Sequence, residues 1–200
     1  MQDNNDPEIL TKLEAAKRQL DTAIYLYFNN LDSVSTYALT AAAIDVLKDI
    51  AKSKNIQTAL EEFKNVIKPE YHDYFLDLIN KPKLFFKHAD QDPEGKLKFY
   101  PRSSEALMFI AIIAYVQISG NSTQDMEVYC IWDITRNPDL IKSPDPENDP
   151  FKEILKKANK IQKGLNKESY YNGFISDPNV KKLNILKTIA NKNMSDQKII

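Results

Sequence analysis

Residues Ala106 to Val116 form an unbroken apolar run of eleven residues. The run is well short of the roughly 20 residues needed to span a bilayer. It reads as a helix buried inside a core, and the rest of the chain has to supply what surrounds it. With 200 residues, 42% of them apolar, the chain has enough material for one globular domain with a small appendage. Only four glycines are present, which argues against a strand-and-turn architecture and against a Gly-rich phosphate loop. The expected fold is all-α, an irregular bundle of about six to eight helices.

The bundle should be built on an N-terminal antiparallel hairpin. Asp6-Pro7-Glu8 carries the signals of a helix start, and Leu10, Leu13, Leu20, Ile24 and Tyr27 follow at helical spacing. Glu14 and Arg18 are placed to pair at i,i+4. After a turn at 29–33, an Ala-rich helix is expected from about Ser35 to Lys52, with Leu39, Ala43, Val46, Leu47 and Ile50 facing inward. A short amphipathic helix is expected over 57–67, and another opens at Lys68-Pro69-Glu70, to be stopped or kinked at Pro82. Residues 90–101 read as an acidic loop, with a brief alternating piece at 96–100. Ser103 should cap the core helix, which ends near Gly120, and Ser122 to Asp125 matches a capping box for a helix through Trp132. Tyr115, Tyr129, Cys130 and Trp132 read as core. The domain division expected is 1–140 as bundle core, 141–150 as an acidic Pro-rich linker, and 151–200 as a basic helical extension packed on the core.

The net charge of −1 conceals an asymmetry. Residues 1–150 carry 16 Lys and Arg against 24 Asp and Glu, whereas residues 151–200 carry 11 Lys against 4 acids. The basic segment either docks on the acidic body or meets a polyanion or another subunit. The single cysteine allows no intrachain disulfide, and Met1 to Asp6 has no secretory character, so a cytoplasmic location without membrane contact is expected.

Chemistry concentrates in Lys81-Pro82-Lys83-Leu84-Phe85-Phe86-Lys87-His88-Ala89-Asp90, which holds one of two histidines and three lysines. On a helix, Lys81 and His88 share a side about 10 Å apart along the axis, and Lys83 and Lys87 form an i,i+4 pair. A histidine able to move a proton, with a cation to stabilise a phosphorane, is what metal-independent RNA cleavage requires. The bland alternative is a helix-terminal histidine beside Asp90. His88 and Lys81 are thus the catalytic candidates. Lys83, Lys87, Lys156, Lys160 and Lys163 are the candidate phosphate or anion cations. Asp90, Asp92, Glu94 and Gly95 imitate part of a calcium loop, but the twelfth position falls on Pro101. His72, His88 and Cys130 lack zinc spacing. No metal site and no cofactor are expected.

Leu20-Asp21-Thr22-Ala23-Ile24, the Ala-rich helix and Phe85-Phe86-Lys87-His88-Ala89-Asp90 together look like a family of uncharacterised bacterial all-helical proteins. More remotely they resemble HEPN domains, helical bundles that act as toxin ribonucleases or as nucleotide- or RNA-binding modules. That resemblance implies a catalytic role for His88, with Lys81 standing where the family has arginine and Pro82 where it has a polar neighbour. The function expected first is a helical interaction module, dimeric and non-catalytic, recognising a nucleotide, RNA or protein partner. A HEPN-like ribonuclease using His88 with Lys81 or Lys87 is the second expectation. A structural subunit holding an acidic partner through its basic C-terminal helix is the third.

Overall fold

The computed structural model describes residues 7–61, 72–88, 90–137 and 164–177, together with residues 180, 186, 187, 189 and 190. Six helices lie wholly within these residues: α1 Lys12–Phe28, α2 Ser33–Lys54, α3 His72–Lys87, α4 Ser103–Ser119, α5 Gln124–Arg136 and α6 Lys167–Phe174. No strand occurs among the described residues, so the fold is an all-α bundle. Among them, no helix is long and apolar enough to cross a membrane. The expected linker 141–150, most of the expected helices over 57–67 and 151–165, and Lys156, Lys160 and Lys163 lie outside the described residues.

The first helix begins later than its sequence signals suggest. Residues 7–10 are not helical, and Thr11 is the cap instead. Its hydroxyl accepts from the Glu14 N–H at 3.2 Å, while Glu14 Oε2 accepts from the Thr11 N–H at 2.8 Å. This reciprocal pair satisfies two orphan donors at once, which a lone Asp–Pro start does not. Arg18 reaches back to Glu8 at 2.6 Å. Asn30 takes a left-handed conformation at φ 51, and Asp32 caps α2 through the Ser35 N–H at 2.7 Å. So short a turn between two packed helices makes the hairpin antiparallel.

The buried face of α2 is Thr36, Tyr37, Thr40, Ala41, Ala43, Ile44, Leu47 and Ala51. Leu39, Val46 and Ile50 are only partly buried. The alanines let α4 approach closely, and α4 packs on α2, α1, α5 and α3. Eleven residues of α4 are buried, consistent with an apolar circumference. Phe109, expected inside, is half-buried, and Met108 and Ile112 are fully enclosed instead. Gly120 ends α4 at φ 69, where a side chain would be strained.

Two aromatic clusters lock the outer helices. Phe28 stacks on Tyr171 at 4.9 Å, and Trp132 lies 4.8 Å from Tyr170, which seats α6 on α1 and α5. Tyr37, Phe86 and Phe99 meet edge to face at 5.5–5.8 Å, binding α3 and the 96–100 segment to α2. Pro82 lies inside α3 rather than ending it. The missing N–H removes one helical link, and burial of the ring offsets that loss.

Candidate functional site

Helix α3 turns Pro82 and Phe86 inward and leaves Lys81, Leu84, Phe85 and His88 exposed. These four follow the i, i+3, i+4, i+7 spacing, so they form one solvent-facing stripe. Lys81 pairs within its own helix with Asp77 at 2.5 Å. Lys83 and Lys87 turn elsewhere, to Asp45 on α2, at 2.5 and 3.7 Å. The candidate cations of this segment are thereby divided between two carboxylates. The His88 N–H donates to Leu84 O at 2.9 Å, which closes the helix. Its imidazole is 42% exposed, with Nδ1 3.9 Å from Asp90, beyond hydrogen-bond distance.

Beside this stripe lies a cleft of about 230 Å³, lined by Asp77, Lys81, Pro82, Leu97, Lys98, Tyr100 and Ser103. Pro82 and Leu97 supply its apolar surface. Tyr100 is half exposed, and the Lys98 ammonium sits 5.4 Å from its ring centroid. The Tyr100 hydroxyl raises the Lys98 pKa by hydrogen bonding. Ser103 donates to Tyr100 O at 2.6 Å and fixes the turn that carries the ring.

A second cavity of about 250 Å³ is lined in part by other residues of that turn. Tyr27, Asn30, Leu31, Ser33, Thr36, Pro101, Arg102, Ser104, Glu105 and Lys167 line it, contributed by α1, α2, α4, α6 and their connections. The Tyr27 hydroxyl accepts from Trp132 Nε1 and from Arg136 Nη1, each at 3.1 Å. Burial, then the charge of Glu105, pushes its pKa up to about 12, so it stays a neutral phenol. Arg136 also meets Glu105 at 3.4 Å. Behind them, burial and then the Glu105 charge push Asp133 up to about 6. Lys167 stands 4.0 Å above the Tyr27 ring. Burial lowers its pKa, with Arg136 acting in the same direction and Glu105 opposing.

Among the described residues, neither Lys167 nor Arg102 has a carboxylate within 4.0 Å. The backbone at this end of α4 is already satisfied. The N–H groups of Ser103, Ser104 and Glu105 donate to Tyr100, Pro101 and Arg102 carbonyls at 2.9, 3.3 and 3.1 Å. Any ligand here would be held by side chains. The cavity residues come from segments up to 140 positions apart, so no local motif announces them.

No group of three metal-ligating side chains occurs among the described residues. Residues 92–95 form a turn in which the Gly95 N–H donates to Asp92 O at 3.1 Å. Cys130 is fully buried, and burial pushes its thiol pKa well up, so it packs as a small apolar group. Comparison with protein-family models, with curated proteins and with solved structures found no match.

Proposed function

We propose that this protein is a non-catalytic helical module that binds single-stranded RNA. The observation that carries this reading is a cleft lined together by an exposed tyrosine, Tyr100, by Lys81 and Lys98, and by the apolar Pro82 and Leu97, with the Lys98 ammonium 5.4 Å from the tyrosine ring centroid. Every base has a π face, and stacking on an aromatic side chain contributes about 1–3 kcal/mol per base without sequence preference. Lys81 and Lys98 would neutralise the adjoining phosphates, while Asp77 tempers the charge of Lys81. The division of the α3 lysines between Asp77 and Asp45 supports binding over catalysis, since each of these lysines is held by a carboxylate.

The test is fluorescence anisotropy of a labelled oligouridine against the full chain. Tyr100→Ala should weaken binding by about 1–3 kcal/mol. Lys98→Gln should reduce the slope of log affinity against log salt by about 0.7. Salt-independent binding, or none, would remove this reading. A second reading, RNA cleavage by His88 with Lys81 or Lys87, is favoured by the exposure of the imidazole. Cleavage that persists in EDTA and is lost in His88→Ala would put that reading first.

A further inference from the structure

We propose that the cavity between α1, α2, α4 and α6 is a phosphate-monoester site, with Lys167 and Arg102 as the groups that neutralise the ligand. Charge, space and position each support it.

Arg136 meets the Glu105 carboxylate at 3.4 Å, so the one acid among the described residues that line the cavity has a cation of its own. Lys167 and Arg102 have none among the described residues. A phosphate monoester carries nearly two negative charges at neutral pH, because its second pKa is near 6. A phosphodiester or a carboxylate carries one. Two cations without an ion pair among the described residues, against one acid that Arg136 pairs and whose charge still reaches Lys167, therefore match the monoester better than either alternative. Ser33 adds a hydroxyl at the rim. Those of Thr36 and Ser104 already donate to Asp32 O and Pro101 O, at 2.9 and 2.6 Å. Their oxygens can only accept, so they contribute nothing to anion capture.

The cavity holds about 250 Å³, roughly eight waters' share of liquid volume. That is room for a phosphate and the sugar bearing it. One wall is the Tyr27 ring, held by Trp132 and Arg136 through its hydroxyl. The Lys167 ammonium lies on the face of that ring, which limits where it can swing.

Position suggests what bears the phosphate, and this part rests on the RNA-binding reading above. Tyr100 and Ser103 line the stacking cleft, while Pro101, Arg102, Ser104 and Glu105 line the cavity. The two sites thus draw their lining from one segment, residues 100–105. A strand stacked on Tyr100 would pass over that segment and place its terminal phosphate between Arg102 and Lys167. A free mononucleotide offers the same chemical group without the strand.

The experiment compares 5′-phosphorylated and 5′-hydroxyl oligouridine, 3′-labelled, by anisotropy on the full chain. Calorimetric titrations with uridine 5′-monophosphate and with inorganic phosphate run alongside. Hydrogen bonds to charged groups contribute about 1.5–3 kcal/mol, so the 5′-phosphate should tighten binding roughly tenfold or more. Lys167→Gln and Arg102→Gln should each remove most of that advantage and leave the 5′-hydroxyl affinity within about twofold. Lys12→Gln, a charge loss at the end of α1 remote from Tyr27, should preserve the advantage. Equal affinity for the two oligomers, with no heat from either small ligand, overturns the site while sparing the RNA reading. Monophosphate binding that is lost in Lys167→Gln, with no oligomer bound, keeps the site, makes the mononucleotide its ligand and removes the RNA reading.

Discussion

Asp45 of α2 holds two lysines of α3 at once, its Oδ1 2.5 Å from Lys83 Nζ and its Oδ2 3.7 Å from Lys87 Nζ. All three side chains are a quarter to a half exposed, so the arrangement contributes only about 0–1 kcal/mol to stability. Its larger effect is on the field outside α3, where one carboxylate offsets two cations. Asp45→Asn should lower the thermal midpoint little. RNA binding should strengthen, and its salt slope should steepen by about 0.7–1.4 as the lysines are released. Anisotropy across a salt series checks this.

In the core, enclosure matters more than side-chain size. Ile112 is fully enclosed, whereas the larger Phe109 is half-buried. Ile112→Ala should cost about 2–5 kcal/mol and Phe109→Ala less, about 1–3. Urea denaturation with unchanged m-values is the measurement, and the reverse order would place α4 differently.

Thr123 serves two helices. Its hydroxyl accepts from the Met126 N–H at 3.2 Å, capping α5, and donates to Asp21 of α1 at 2.7 Å. Thr123→Ala should therefore cost about 1–2 kcal/mol, and Thr123→Ser should recover most of it. Chemical denaturation of the two variants separates loss of the hydroxyl from loss of the methyl.

Asp133 gives stability a pH dependence of unusual sign. Burial, then the charge of Glu105, raises its folded pKa to about 6 from the ordinary aspartate value of 3.8. Between about pH 4 and 6 the folded state therefore binds more protons than the unfolded chain, and this contribution falls as pH rises through that window. Asp133→Asn should flatten the dependence and stabilise the protein above pH 6 by about 1–3 kcal/mol. Melting temperatures from pH 4 to 8 show the effect as a difference between the two proteins.

His88 ends α3 through its backbone N–H, while its exposed imidazole stays 3.9 Å from Asp90. A capping role for the side chain is thus not what the geometry offers. His88→Ala should change stability by no more than about 0.5 kcal/mol. An unfolding curve shifted well beyond that would point to a partner for the imidazole.

Local pattern determined α1, α2, α4 and α5 and much of what they bury, but not the short α6 at Lys167–Phe174. The apolar run from Ala106 to Val116 lies inside α4, Gly120 ends it, and Tyr129, Cys130 and Trp132 are core. Periodicity and composition carry that information, because burying an apolar face is a requirement each segment announces for itself. Capping is less legible. Asp6-Pro7 competed with Thr11, and Ser122 with Thr123, because cap signals recur within a few residues. Pro82 misled for a related reason, since a buried ring can offset a lost hydrogen bond and the sequence does not show which rings are buried. Only the tertiary structure decided the charges. Asp45 lies 38 residues from Lys83, and Glu105 lies 31 from Arg136. The cavity joins Tyr27, Arg102 and Lys167 from three separate stretches. Ion pairs and cavities depend on which helix ends meet, and no periodic signature along the chain records that meeting.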